Sequence, residues 1–393
     1  MSQIAFGDDR HDRLAREAVQ RQWTGGYAPS RHIDGLLFVA VLAVALFGLL
    51  MIYSATFHRL EAAGASPMYF VNRQAVSLIL GIGGMAGVML FDYRIYRAWA
   101  PILYAGSLML LLLVLIQGTV VNASRAWLVI GGFQLQPSEL AKPALIVMLA
   151  MLFHERREEA LGLRALVEAL GIAAIPMGLI MLQPDFGTFM VFVAIVFGVL
   201  LLARVRVRYM VALVAIGLFS IFAALQLDIM QQYQVDRLTA FLNPSASDPL
   251  GARYNVNQAQ IAIGSGQLLG QGLFEGSQTT LSYVPENHTD FIFTVVGEEL
   301  GFVGAGFLLV AYALLLWRAI RIAAMSRDMF GTLLAGGVIA VFGFQVFINI
   351  GMAVGLMPVT GLPLPFVSYG GTSLIGSFLM VGLLQNVHMR RFT

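Results

Sequence analysis

Long apolar runs alternate with short polar breaks along almost the whole chain. A helix that crosses the hydrocarbon core of a bilayer needs about 20 mostly apolar residues. Ten segments answer to that pattern: 35–54, 75–91, 99–117, 139–153, 166–182, 187–203, 209–226, 291–317, 329–355 and 367–386. Each is predicted to be α-helical, because backbone in lipid must satisfy its own N–H and C=O groups. The segment 139–153 is the shortest and carries Glu139 and Lys142, which makes it the weakest of the ten. The expected fold is therefore all-α and polytopic, with about ten transmembrane helices.

Composition sharpens this picture. The 393 residues are 58% hydrophobic and 12% charged, and ordinary soluble domains carry roughly 25% charged residues. A soluble globular enzyme, a disordered chain and a nucleic-acid-binding domain are excluded. There is no cysteine, so disulfides, thiolate catalysis and cysteine-ligated metals are excluded as well. Six histidines are scattered without HExxH spacing, which argues against a histidine-based zinc site.

Charge then sets the orientation. With both termini cytoplasmic, eighteen arginines fall in cytoplasmic segments and five (Arg59, Arg73, Arg125, Arg237 and Arg253) fall outside, a strong positive-inside bias. The expected organisation is a cytoplasmic N-terminal tail over 1–34, a transmembrane domain over 35–387 and a cytoplasmic C-terminal tail over 388–393. The longest loop, 227–288, lies outside before helix 8, and its stretch Tyr254–Ile263 reads as a short interfacial helix. Nine of the thirteen prolines (137, 143, 184, 244, 249, 285, 358, 363 and 365) fall on or near the outer face. Irregular backbone at membrane depth survives only where protein or a watery cavity satisfies it, so a cavity is expected in the outer half.

Chemistry-bearing residues collect on the same side. Lys142, the only lysine, follows Glu139 by three residues and shares its helix face. The pair reads either as an internal ion pair or as part of a site, because ionisable groups inside spans are rare. Arg125 sits in the loop just before, as an interfacial anchor or as an outward cation at the same mouth. Asp185, in QPDFGT, is a helix cap or a site residue. Glu286, His288 and Asp290 occupy five residues of VPENHTDF where the long loop meets a span, and Thr289 could cap the helix that follows. Glu298 and Glu299 lie either deep in that helix or before a span that begins near 300. Asn349 is polar within a span, and the Ser368-Tyr369-Gly370-Gly371 turn offers backbone amides that could cradle an anion.

Five segments, SRAWLVIGGFQLQPSELAKPA, QPDFGT, IAIGSGQLLGQG, PENHTDFIFTVVGEELGF and GLMPVTGLPLPFVSYGGTS, resemble in content and order the SEDS family of shape, elongation, division and sporulation proteins. The last segment and GSQTTLSYVPENHTDFIF resemble its elongation branch more than its division branch. The resemblance implies a ten-helix peptidoglycan glycosyltransferase that polymerises lipid II, the undecaprenyl-pyrophosphate-linked disaccharide-pentapeptide, on the outer face of the bacterial cytoplasmic membrane. It implies a class B penicillin-binding protein as partner within the cell-elongation complex. It places the essential acid of the HTDF motif on Asp290 and the intramembrane pair of the PSELAK motif on Glu139 and Lys142.

The donor is α-linked and the polymer β-linked, so one inverting displacement suffices, with Asp290 as general base. Arg125, Lys142 and a divalent cation, Mg²⁺ or Mn²⁺, are expected around the departing diphosphate. No organic cofactor is expected. Substrate contacts are expected from Arg125, Glu139, Lys142, Asp185, Glu286, His288, Ser368 and Tyr369. A lipid II flippase and a non-catalytic activator of the penicillin-binding protein stay open as alternatives.

Overall fold

The computed structural model describes residues 32–121, 124–131, 133–156, 162–227 and 252–391, together with positions 235 and 241. The expected N-terminal tail, apart from residues 32–34, lies outside the described residues, as do 228–234, 236–240 and 242–251 of the outer loop and the last two residues of the chain. The described chain is mostly helical. Helices α1 (Gly35–Ala62), α2 (Tyr69–Leu90) and α3 (Tyr93–Gln117) are followed by α4 (Pro137–Glu155), α5 (Leu163–Met181), α6 (Phe186–Leu202) and α7 (Val207–Gln226). Then come α8 (Ala252–Ser265), α9 (Ser277–Thr280), α10 (Ile292–Glu299), α11 (Gly301–Ala324), α12 (Met329–Ala353) and α13 (Gly371–Met389).

Seven of these helices are long and apolar enough to cross a membrane, and α6 is a shorter apolar helix. The chain is a multi-pass membrane protein. Segment 139–153, the weakest from sequence, lies inside the 19-residue α4. The expected interfacial helix within 254–263 is α8.

Aspartates start four of the helices. Asp34, Asp92, Asp185 and Asp328 each accept a hydrogen bond from a backbone N–H in the first turn of α1, α3, α6 and α12, which satisfies a donor the helix leaves orphaned. Helix α12 forms the middle of the bundle, with 67% of its most apolar window buried. Among the described side chains of α7 none is buried. Helices α13 and α2 pack along small residues. A Cβ on Gly81 would meet the Phe378 ring at 3.0 Å, and one on Gly382 would meet the Met85 carbonyl at 3.0 Å, a close approach that membrane helices exploit.

One end of the bundle is tied by charge. Arg318 grips the Asp34 carboxylate through Nε at 2.9 Å and Nη2 at 2.5 Å. Gln385 exchanges two hydrogen bonds with the Asp34 backbone. Asp34 is thus welded to α11 and α13. At the same end Asn386 donates to the carbonyls of Val88 and Phe91, closing the turn between α2 and α3.

The opposite end holds the departures from the sequence reading. An all-α fold omits the small antiparallel sheet β1 (Thr119–Val121), β2 (Ser124–Ile130) and β3 (Phe133–Leu135), ordered β1-β2-β3. In the β2–β3 register Ile130 faces Phe133 and Leu128 faces Leu135. Gly131 has φ +57° at the tip, and a Gly-Gly pair flanked by alternating residues is a hairpin signal that membrane hydropathy had masked.

The second departure concerns helix 8. The helix breaks at Leu300–Gly301, where Gly301 has φ +63° and a Cβ would run into the Gly270 backbone. The span therefore begins at 301. Glu298 and Glu299 turn back to brace a loop. The Glu298 carboxylate accepts from the backbone N–H of Gln278 at 2.7 Å, the N–H of Thr279 at 3.1 Å and the Thr279 hydroxyl at 2.7 Å. Glu299 accepts from Ser54 at 2.5 Å. The backbone of 267–272 is stitched to 298–303 by four more bonds, among them Gln271 N–H to the Glu298 carbonyl.

Removing the Glu298 carboxylate strands buried donors. Glu298→Ala is expected to lower stability by about 3 kcal/mol, read as a lower thermal-unfolding midpoint of the purified protein.

Candidate active site

Helices α2, α4, α6 and α13 all start at the end of the bundle that carries the sheet. Their first turns, the sheet and two loops enclose a cavity of about 1000 Å³. Asn72 and Arg73 enter from α2, Gln136 and Glu139 from α4, and Asp185 to Thr188 from α6. Gly370, Gly371 and Ser373 enter from α13. Loop 285–291 brings Glu286, His288 and Asp290, and loop 354–370 brings Thr360, Gly361 and Tyr369.

The acid sits in a tight turn. Glu286 has φ +54°, a left-handed conformation that costs a non-glycine residue about 1 kcal/mol. Its carbonyl then accepts from the N–H groups of Thr289, Asp290 and Phe291, and that folds the turn. Thr289 does not cap α10, whose N-cap is Phe291 without a side-chain bond. Its hydroxyl instead donates to the carbonyl and the carboxylate of Glu286. Asp290 is half-buried. A Cβ on Gly361 would lie 3.4 Å from Asp290 Oδ2, so the carboxylate faces bare backbone there. Gly361 itself has φ +73°.

Of the residues expected at the site, the cavity gathers Asp290, Glu139, Asp185, Glu286, His288 and Tyr369. Asp185 both caps α6 and accepts from Gln136 Nε2 at 3.0 Å. Three others lie elsewhere. Lys142 is fully buried behind Glu139, with Nζ 2.7 Å from Glu139 Oε1. Ser368 is buried, and its hydroxyl accepts from Leu364 N–H and donates to the Thr289 carbonyl. Arg125 is exposed on β2, and its neighbours Ser124 and Ala126 line the cavity.

The His288 ring packs at 4.8 Å from Phe70 and 5.7 Å from Tyr369. Burial, then the nearby Arg59 charge, pushes its pKa down to about 4. The ring is neutral at neutral pH and adds no positive charge to the cavity.

Arg73 is the cation that sequence reading passed over. It counted there only as one of five outer arginines. Its guanidinium stacks 4.8 Å from the Tyr69 ring, and it lines the cavity. Its signal was an arginine near the start of a membrane helix, on the side that the charge bias leaves poor in arginine. Helix dipoles add to it. No side chain caps α13 and no acidic residue stands in its first turn, and Gly370, Gly371 and Ser373 at its start line the cavity, so this helix end is suited to an anion. Among the described residues, no three His, Cys, Asp or Glu side chains group as a metal cage would. The donor set does not fit a protein-only cage for Mg²⁺ or Mn²⁺.

Residues 34–392 match the model of the FtsW/RodA/SpoVE cell cycle protein family, and the chain belongs to that family. It is 40% identical over 357 residues to stage V sporulation protein E of Bacillus subtilis (strain 168), covering 90% of this chain and 96% of that protein. It is 37% identical over 361 residues to the peptidoglycan glycosyltransferase MrdB of Escherichia coli (strain K12), covering 92% and 94%. A solved chain from a peptidoglycan synthase complex that coordinates polymerization and crosslinking superposes with a TM-score of 0.77 at 33% identity, covering 92% of this chain and 99% of that one.

Two outcomes are expected. Lys142→Met leaves Glu139 buried without its partner and is expected to cost about 3 kcal/mol, with most of it regained in Glu139→Gln/Lys142→Met. For His288, the folded pKa lies below the ordinary 6.5, so the unfolded chain takes up the proton first. Its contribution is full above 6.5 and is lost as pH falls toward about 4. The drop in thermal midpoint on acidification is expected to be smaller in His288→Gln.

Proposed function

We propose that this protein is a peptidoglycan glycosyltransferase that polymerises lipid II at the outer face of the bacterial cytoplasmic membrane. The observation that carries the reading is one cavity, at one end of the bundle, holding the half-buried Asp290 carboxylate together with Arg73 and the uncapped start of α13. Membership of a family whose member MrdB is a peptidoglycan glycosyltransferase supports it.

An acceptor sugar hydroxyl is a weak nucleophile at neutral pH. Asp290 takes its proton as the new glycosidic C–O bond forms. The bond from the donor anomeric carbon to the diphosphate oxygen breaks in the same inverting step, and no covalent sugar–enzyme intermediate is required. Negative charge grows on the leaving diphosphate, and Arg73 and the α13 amides face it. Glu139 and Asp185 each have a partner of their own, Lys142 and the α6 amides, which limits their repulsion of the anion. The polyprenyl tails lie in apolar clefts between helices, open to lipid.

The bundle crosses the membrane ten times with both termini cytoplasmic, with α11 as the eighth crossing and α10 as the short helix broken away before it. The partner is a class B penicillin-binding protein, as the superposed synthase complex suggests. The segment GLMPVTGLPLPFVSYGGTS assigns the chain to cell elongation.

Asp290→Asn removes the base and keeps the shape. In the purified complex with its partner it is expected to lower glycan-strand formation by at least about a hundredfold, with an unchanged unfolding midpoint. Wild-type polymerisation by this variant would remove Asp290 from the base role. Arg73→Ala is expected to lower the rate about tenfold or more.

A further inference from the structure

Asn349 stands near the C-terminal end of α12 between Ile348 and Ile350. It is fully buried. A buried amide is costly unless it is hydrogen-bonded. Its Nδ2 lies 2.7 Å from the carbonyl oxygen of Asp290 and 2.7 Å from that of Leu362. A primary amide has two N–H donors, and both are committed. Its Oδ1 is buried with no hydrogen-bond partner. The orphaned acceptor shows that the site is shaped around the two donors.

The two carbonyls belong to different walls of the cavity. Asp290 is on loop 285–291. Leu362 is on loop 354–370, next to Gly361, whose backbone faces the Asp290 carboxylate. One side chain therefore ties the acid's own backbone to the wall it faces. The neighbouring carbonyls are held from the same loop. The His288 carbonyl accepts from Tyr369 N–H at 2.9 Å and the Thr289 carbonyl from the Ser368 hydroxyl at 2.5 Å. Three consecutive carbonyls, 288 to 290, are thus each gripped by a donor outside their own turn. Of the three donors, Asn349 is the one that holds the carbonyl of Asp290 itself, and it does so from α12.

We propose that Asn349 is a positioning residue for Asp290: its amide pins the acid's backbone to loop 354–370 and so sets where the carboxylate stands in the cavity. It touches no substrate and acts through Asp290. The proposal rests on the reading of Asp290 as the general base. A small displacement of a base is felt in the chemical step far more than in binding, because proton transfer needs close approach and alignment. The substrate contacts assigned above come from residues that Asn349 does not touch.

The test is steady-state polymerisation of lipid II by the purified full-length complex carrying Asn349→Ala, with Asn349→Ser beside it. Serine keeps one donor and serves if alanine fails to fold, which unfolding midpoints report. Expected is a fall in kcat of about ten- to a hundredfold with KM within about twofold of wild type. A folded variant of either kind with wild-type kcat overturns the proposal, as does a rise in KM at constant kcat. An Asp290→Asn complex measured alongside separates the two readings. If it is inactive while Asn349→Ala is unimpaired, only the positioning role falls. If it retains full activity, the base assignment falls first.

Discussion

A chain that leaves the helix near the edge of a bilayer must find partners for its main-chain carbonyls, because lipid offers none. That constraint organises the end of this molecule that carries the cavity. Loop 285–291 meets it with donors drawn from α12 and from loop 354–370. Loop 354–370 is held in turn by Gln74 on α2, which donates to the Ser368 carbonyl and accepts from Gly370 N–H. The stretch before the acid is held by Glu298, which offers a carboxylate to the backbone of 278–279. Irregular backbone and functional cavity coincide because the same side chains that satisfy the one shape the other.

Electrostatics follows from topology. Four helices begin at the cavity, so four positive dipole ends converge there. Two are answered by acids of the chain, Asp185 on α6 and Glu139 on α4. The other two, on α2 and α13, have no acid in the first turn, and Arg73 adds a full charge beside them. The cavity is thus suited to an anion without gathering many basic residues. Lys142 shows the limit of counting charges. It is fully buried against Glu139, so its effect on the cavity is to neutralise rather than to bind.

Much of this was legible in the sequence. Apolar runs located the helices, and clustered Glu286, His288, Asp290, Asp185 and Glu139 located the cavity wall. What escaped detection depended on tertiary partners. The β2–β3 hairpin that turns at Gly131 was hidden inside a membrane-like background. The break at Gly301 was one of two readings, and only the 266–276 backbone pressing on 297–301 decides between them. Ser368 looked like a ligand contact because nothing in its neighbourhood along the chain announces that Thr289, seventy-nine positions away, supplies its acceptor. Asn349 was visible as an oddity in an apolar span, but its two carbonyls come from segments 59 and 13 positions distant.

The most direct test of the central claim is synthesis of glycan strands from purified lipid II by this protein and its penicillin-binding partner alone, with other peptidoglycan polymerases inhibited. The account predicts long strands joined by β-linkages, the mark of one inversion at an α-linked donor. Strands with retained anomeric configuration, or transport of lipid II across vesicles with no strand formed, would contradict it.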